Sequence, residues 1–363
     1  MVDNDRHSRR RVLKSASAFT VAGITATAGC LGDDDEGNGN GSGNGSGNGS
    51  GNGNGNGNGS AEDFPSDDFR YIVPFSEGGG TDTYARAVSP SLSDVSGVNV
   101  TVENIAGAAS LRGTEEAYRG DSDGHTFIGF NPPATNTSWL IHQPDWDITD
   151  MEGVAYIGRT PYVLIANADL GVDGLSDVQS RYESEEFTAI GGQEPGHLYH
   201  IAALLFRDEL DIPWQEYVAY SGTGPIVQSV VSNEVPVGIA TDTGALSAVE
   251  DGRAEVVAVM HSDGSSVFPD APTIDEQGFD DIDYAGGIFR GIYAPPETPE
   301  ETVNALSDLF EEALQTDDVQ DWSEDTGNDV SYGGPQEAND ILEETTELIR
   351  DRVDLESVRD EAA

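Results

Sequence analysis

YIVPFSEGGGTDTYAR, residues Tyr71 to Arg86, is the stretch on which the fold turns. The apolar, β-rich run Tyr71-Ile72-Val73 is stopped by Pro74. Gly78, Gly79 and Gly80 follow, and helical periodicity (Tyr84, Val88, Leu92) starts at Thr81-Asp82. The order is strand, glycine loop, helix N-terminus. Glycines let a backbone come close to a ligand, and the free N–H groups of a first helical turn attract anions. The spacing differs from G-x-G-x-x-G, and no G-K-[ST] follows, so neither dinucleotide nor triphosphate binding is indicated. Alone, such a loop reads as a tight turn with a cap.

The N-terminus carries an address. Ser8-Arg9-Arg10-Arg11-Val12-Leu13-Lys14 resembles a twin-arginine export signal, with a mildly apolar stretch from Ser15 to Ala28 behind it. Thr27-Ala28-Gly29-Cys30 resembles a lipobox, and Cys30 is the sole cysteine. The apolar stretch is short and rich in Ala, Ser and Thr for a membrane span. The expectation is a signal peptide over 1–29 and lipidation of Cys30, anchoring an exported protein to the outer face of the cell membrane. A sole cysteine excludes intramolecular disulfides and cysteine-based metal clusters. From Gly37 to Ser60 glycine alternates with Asn or Ser, so residues 30–63 read as a disordered tether. Four N-x-S sequons lie there (Asn40, Asn44, Asn48, Asn58), and Asn99 and Asn136 add two more.

Charge is the second global constraint. The chain has 17 Lys+Arg against 67 Asp+Glu, a formal net charge of −50. Losing residues 1–29 removes five basic and two acidic residues, which leaves −53 and no lysine. Acidity distributed between normal hydrophobic runs argues for a folded protein kept soluble in concentrated salt. It points to a halophilic organism, an archaeon. With no basic patch to neutralise phosphates, nucleic acid is excluded as a partner.

Beyond the tether, strands alternate with helices: Val98 to Val102, a helix through Leu111 and Tyr118, then Thr126 to Phe130. Strand Phe187 to Ile190 precedes a helix with Leu198, Ile201, Ala202 and Leu205. Strand Tyr217 to Tyr220 precedes one with Ile226, Val227, Val230 and Val231. The pattern is α/β with largely parallel sheets. Thr298-Pro299-Glu300-Glu301 reads as a capping box with proline at the first helical position, opening a helical C-terminal region. The strand–small-residue loop–helix unit recurs at Ser76–Thr81, Gly107–Ser110, Gly191–Gly196, Ser221–Gly224 and Thr241–Gly244. In open α/β sheets such loops lie at the carboxyl ends of strands, where ligands bind. An anion cradle of backbone N–H groups needs no basic side chain.

These blocks resemble the extracytoplasmic solute receptors of the tripartite tricarboxylate transporters. The matching residues are Val73-Pro74-Phe75 with Gly79-Gly80-x-Asp82 and Ala85-Arg86, Val102-Glu103-Asn104 with Gly107-Ala108, and Asp123-Gly124-His125-Thr126. His197-Leu198, Tyr220-x-Gly222 and Pro269-Asp270-x-Pro272-Thr273-x-x-Glu276-x-Gly278 continue the series in the family's order. The resemblance implies a two-lobed periplasmic-binding-protein-like fold of type II, each lobe a mostly parallel sheet with flanking helices. It implies two interlobe crossings, near Tyr162–Asn167 and Ile288–Pro295, with lobe 1 at 64–164, lobe 2 at 165–287 and a return to lobe 1 over 288–363. The implied function is capture of a small carboxylate (a di- or tricarboxylate, or an acidic amino acid) for integral-membrane transporter subunits, without catalysis, cofactor or metal. Ala106, Ala109-Ser110, Gln193-Glu194-Pro195 and Ser221 depart from the family's usual loops, and Glu77 and Glu194 place negative charge near the expected site.

The expected ligand residues are Phe75, Ser76, Gly79, Gly80, Thr81 and Asp82 in the first loop, and Gly107 and Ala108 in the second. Gly192, Gly196 and His197 follow in the third, Ser221, Gly222 and Thr223 in the fourth, and Asp242 in the fifth. Asp82 serves as helix cap or as organiser of the ligand loop. Arg86 and Arg112 can neutralise a carboxylate or pair with surface acids. Gly80 is expected to be exposed, so that valine there blocks the ligand and spares the fold. Asp121 and Asp123 lack a complete calcium loop. The competing reading is an exported α/β enzyme acting on a small carboxylate or phosphate, with Asp82, His197 or Asp242 as acid–base groups. No H-E-x-x-H, C-x-x-C or G-x-S-x-G supports it. A cell-surface adhesion module, the third possibility, calls for no enclosed pocket.

Self-repulsion at this charge density destabilises the compact state once counterions are diluted. Dialysis into dilute buffer is expected to unfold the protein, and molar salt to restore its helical circular dichroism. An unchanged melting temperature across that range would contradict the charge argument.

Overall fold

The computed structural model describes residues 64–362, all within the compact unit Asn58–Ala363. The signal peptide 1–29, Cys30 and the tether 30–63 lie outside the described residues. The chain begins with β1 (Phe69–Val73), α1 (Gly80–Ser96), β2 (Val100–Asn104), α2 (Leu111–Tyr118), β3 (Thr126–Phe130) and α3 (Ala134–His142). The long β4 (Glu152–Asn167) leads to α4 (Leu175–Glu183), β5 (Ala189–Gln193), α5 (Leu198–Asp208), β6 (Glu216–Tyr220) and α6 (Thr223–Val231). Next come β7 (Val237–Thr241), α7 (Asp242–Glu250), β8 (Ala254–Val259) and β9 (Gly287–Ala294). The chain closes with α8 (Glu300–Leu314), α9 (Asp317–Thr326), β10 (Asp329–Gly333), α10 (Pro335–Arg352) and α11 (Leu355–Ala362).

Two sheets share β4. Its first part, Glu152 to Pro161, pairs with β9, while Tyr162 to Ala166 pairs with β7 and Val163 to Asn167 with β8. In the first sheet β1 runs parallel to β2 and β3, and β9 lies antiparallel between β3 and β4. In the second, β5 runs parallel to β6 and β7, and β4 is antiparallel to β7 and β8. The sheets are therefore mixed, not mostly parallel. The reason is topological: β4 carries the chain out of the first sheet, β9 brings it back, and side by side they must run in opposite directions.

Side-chain alternation places the core. In β1, Phe69, Tyr71 and Val73 join the α1 and α8 side with Phe127 and Phe310, while Ile72 faces Phe130, Tyr293 and Leu342. Along β4, Tyr162, Leu164 and Ala166 pack with α5, and Val163 and Ile165 pack with Val230 and Ala240. The local segments match the periodicity of the sequence: β3 coincides with its expected span, and the other strand ends are displaced by at most three residues. Three expectations fail. Thr298 does not cap α8, because its hydroxyl donates to the Pro295 carbonyl at 2.7 Å, and Pro299 is itself the cap residue. The C-terminal helices do not belong to the first sheet alone. Ala338 and Leu342 of α10 pack there, whereas Ile349, Val353 and Val358 join the second sheet's cluster. An 18-residue helix is about 27 Å long and overhangs the sheet it starts on. Asn136 is wholly buried, with its amide 2.9 Å from the hydroxyls of Thr345 and Thr346, so its sequon is closed to modification in the folded state.

Where the two passages between sheets meet, the backbones nearly touch. A Cβ on Gly286 would collide with the Met260 carbonyl, and one on Gly287 would lie 2.9 Å from the Thr160 carbonyl oxygen. Overpacking of this kind costs about 1–3 kcal/mol. Gly287→Ala is thus expected to lower the melting temperature in molar salt by several degrees. An unaltered melt would show that the passages are not in contact there.

Candidate functional site

The loop after β1 is built by its glycines and one carboxylate. Gly78 has φ +77°, a left-handed conformation that disfavours side chains. Gly79 caps α1 with extended backbone angles, and its N–H donates to the Ser76 carbonyl at 3.3 Å. Asp82, 3 % exposed, accepts from the Gly78 N–H at 2.8 Å, from Arg86 Nε at 2.9 Å and from Asn104 Nδ2 at 2.9 Å. Burial pushes the Asp82 pKa up, but the hydrogen bonds from Arg86, Gly78 and Asn104 outweigh it and hold the carboxyl below its ordinary value. Asp82 is therefore an organiser of the loop. Arg86 is spent on Asp82 and on Glu77, whose side chain is exposed and turned to that pair.

Beside this loop lies a cavity of about 440 Å³ where the two sheets meet. Gly79, Gly80 and Thr81 of α1, Asn131 and Ala134 at the start of α3, and Thr160 and Tyr162 of β4 form part of its wall. His197 and Tyr199 at the start of α5, Thr223 of α6, and Thr241, Thr243 and Gly244 at the start of α7 supply the opposite part. Phe75, Gln193, Ile288, Arg290 and Asn328 complete it. Several helix N-termini thus converge on one space, the arrangement that suits an anion. Among the described residues no Asp or Glu lines the cavity, although the chain has 67 acidic residues. An adjoining space of about 420 Å³ shares Phe75, Ala134 and His197, and adds Ser110, Ile141, His142, Glu194, Gly196 and Leu198.

Arg290 is the charge that the sequence reading missed. It is 5 % exposed and projects from β9 into the cavity wall. Its Nη1 donates to Thr81 Oγ1 at 3.2 Å and to Asn131 Oδ1 at 3.1 Å, and its Nη2 to Thr160 Oγ1 at 2.9 Å. The guanidinium carbon lies 4.9 Å from the centre of the Tyr84 ring. Nε has no partner, and among the described residues no carboxylate is within ion-pair distance. Burial lowers the Arg290 pKa, opposed by the nearby phenols of Tyr84, Tyr162 and Tyr71, yet a guanidinium remains charged in proteins. A Cβ on Gly80 would sit 2.7 Å from Nη2, so the third glycine is where the helix start and the guanidinium meet. Gly80 is exposed, as expected, but the expectation that valine there would spare its surroundings gives way to this contact. A second concavity of about 420 Å³, around Arg159 and Ser265, differs in kind: Arg159 is already paired with Asp263 at 2.9 Å.

Of the residues expected from sequence, Phe75, Gly79, Gly80, Thr81, His197 and Thr223 line the main cavity, and Gly196 lines the adjoining one. Ser76, Gly107, Ala108, Gly192, Ser221 and Gly222 line neither. Gly192 instead leaves room for Tyr217, whose hydroxyl donates to the Gln193 carbonyl at 2.5 Å. Asp242 also lies off the cavity. It is 2 % exposed and accepts from Ser265 Oγ at 2.7 Å and from the Thr243 N–H at 2.6 Å, and burial raises its pKa to about 6 despite those bonds. His197 is open to water yet crowded by protein on its other sides, which pushes its pKa down to about 4, with Glu194 opposing. Arg112 is exposed and lines neither space. Arg290 had a readable signal, a lone charge in the apolar strand GIFRGIYA. The contributions of Thr160, Tyr199 and Thr243 had none, since they depend on packing across the sheets.

A family model described as the tripartite tricarboxylate transporter family receptor matches residues 84–353, well over half of the chain. Protein BugT of Bordetella pertussis is 28 % identical over 266 residues, covering 71 % of this chain and 79 % of BugT. Among solved structures, a TctC solute-binding protein from Polaromonas superposes with a TM-score of 0.71 at 19 % identity, over 79 % of this chain and 98 % of that one. MatC from Rhodopseudomonas palustris, solved with bound malate, gives a TM-score of 0.60 at 26 % identity over 83 % and 100 % of the two chains. The α/β architecture is thus shared with solved receptors, and this chain belongs to the tripartite tricarboxylate transporter receptor family.

Proposed function

We propose that this protein is an extracytoplasmic receptor that captures a small organic carboxylate and delivers it to integral-membrane transporter subunits. The observation that carries the reading is the acid-free cavity in which helix N-termini surround a buried, unpaired guanidinium. The bound malate of MatC supports a carboxylate as the class of ligand. One ligand carboxylate is held by the first-turn N–H groups of Gly80 and Thr81 and by Arg290. Residues from His197, Thr223 and Thr243 close on its other end. The lobes are 64–164 with 288–363, whose last helices also reach the other sheet, and 165–287, and they close about the crossings near Tyr162 and Ile288.

The family membership fits an exported protein, and no helix among the described residues is long and apolar enough to cross a membrane. Attachment belongs to the N-terminal segment: twin-arginine export, cleavage before Cys30, lipidation there, and a tether reaching on the order of 25–30 Å by random-coil scaling. The acidic composition supports a haloarchaeal cell surface as the setting. The competing enzyme reading needs acid–base groups facing one space. Asp82 is committed to Gly78, Arg86 and Asn104, Asp242 to Ser265 and Thr243, and neither lines the cavity that His197 lines. Neither a metal nor a cofactor takes part in the proposed capture.

Hydrogen bonds to a charged group contribute about 1.5–3 kcal/mol each, so a few of them with lobe closure reach micromolar affinity. Calorimetry in molar salt against four- to six-carbon di- and tricarboxylates and acidic amino acids is expected to find a ligand recovered chemically unchanged. Gly80→Ala, which pushes a methyl group against Arg290, is expected to weaken that binding at least tenfold while helical circular dichroism persists. Absence of binding across the panel, or chemical conversion of the ligand, would overturn the receptor assignment.

A further inference from the structure

The cavity holds a charge that nothing in the protein answers. Arg290 spends its two terminal nitrogens on neutral oxygens, those of Thr81, Asn131 and Thr160, and its Nε on none. A buried guanidinium without a counter-charge is costly, so it marks a place where negative charge arrives from outside. Thr81 points the same way. Its Oγ1 accepts from Asn131 Nδ2 at 2.8 Å and from Arg290 Nη1, which fills both lone pairs and leaves its O–H to donate.

The opposite wall offers the N-termini of α5 and α6 with the hydroxyls of Tyr199 and Thr223, again suited to an anion. A ligand ammonium would find only neutral acceptors among the described residues of the wall, such as the Gln193 and Asn328 amides, and no carboxylate. Asn131 Oδ1 is occupied by Arg290, helix N-termini repel cations, and the nearby acids are engaged or elsewhere. Asp242 faces Ser265, and Glu194 is an exposed residue of the adjoining space.

We propose that Arg290 is the specificity-determining residue of this receptor, and that it selects short aliphatic dicarboxylates lacking an ammonium group over the matching acidic amino acids. The proposal rests on the carboxylate-receptor reading and narrows it. One carboxylate of the ligand meets the Arg290 guanidinium and the Thr81 hydroxyl, and the second meets the α5 and α6 termini across the cavity. An α-ammonium would be brought within the field of Arg290 without a carboxylate to receive it.

Calorimetry in molar salt with two matched pairs tests this, succinate with aspartate and glutarate with glutamate, since each pair differs by one ammonium group. In at least one pair the dicarboxylate is expected to bind at least tenfold more tightly. Arg290→Gln is expected to lose at least tenfold in dicarboxylate affinity and to bring the ratio towards one, whereas Arg290→Lys keeps the preference. Should the glutamine variant fail to fold, as judged by circular dichroism, the ratio for the unaltered protein decides alone. Equal or tighter binding of the amino acid in both pairs overturns the proposal, as does a folded Arg290→Gln variant that binds the dicarboxylate like the parent. If only some other carboxylate binds, the selectivity is refuted and the receptor reading stands. If no carboxylate binds, both fall.

Discussion

The antiparallel pairing of β4 with β9, from Glu152 opposite Ala294 to Pro161 opposite Gly287, is the constraint on which the rest of the structure hangs. These strands carry the chain from one sheet to the other and back, so each sheet inherits an antiparallel member beside its parallel βαβ units. The pairing also places Arg290, Thr160 and Tyr162 at the seam between the sheets. Side chains at a seam have fewer core neighbours to fill the space around them than those in the middle of a sheet. The cavity opens there, and the loops at the carboxyl ends of β1, β5, β6 and β7 reach it from both sides.

Electrostatics works on two scales in this protein. The surface is acidic throughout, and its long-range field would repel an anionic ligand in dilute solution. At molar ionic strength the Debye length is about 3 Å, so that field is screened beyond contact distance. What remains is local: a guanidinium held out of water and helix N-termini aimed into a small volume. Such groups act at hydrogen-bond range, where mobile ions do not intervene. An anion receptor on a polyanionic protein is thus physically consistent in concentrated salt.

The loop after β1 shows how position is maintained without a rigid side-chain scaffold. Asp82 ties the Gly78 N–H, Arg86 and Asn104 together, so the end of β1, the end of β2 and the first turn of α1 share one carboxylate. Gly80 then brings the helix start against Arg290 at a distance that only a missing Cβ permits. The strand, the loop, the helix dipole and the buried cation are in this way coupled through two residues that are neighbours but one in sequence.

By itself the sequence determined what depends on neighbouring residues. The apolar run Tyr71-Ile72-Val73, the glycine loop after it, the helices at Tyr84 and Leu198, and the family blocks were all legible, because each is encoded within a turn or two of chain. The acidity was legible too, being a property of composition. Tertiary structure alone decided that one strand serves two sheets and that α10 overhangs both. It also decided that Gly107, Ala108 and Asp242 stay off the cavity while Thr160, Tyr199 and Thr243 enter it. The hydrogen bond from Arg290 to Thr81 spans 209 positions, and no local propensity encodes such a meeting. It exists because β9 pairs beside β3, itself beside β1, which brings Arg290 to the start of the helix that follows β1.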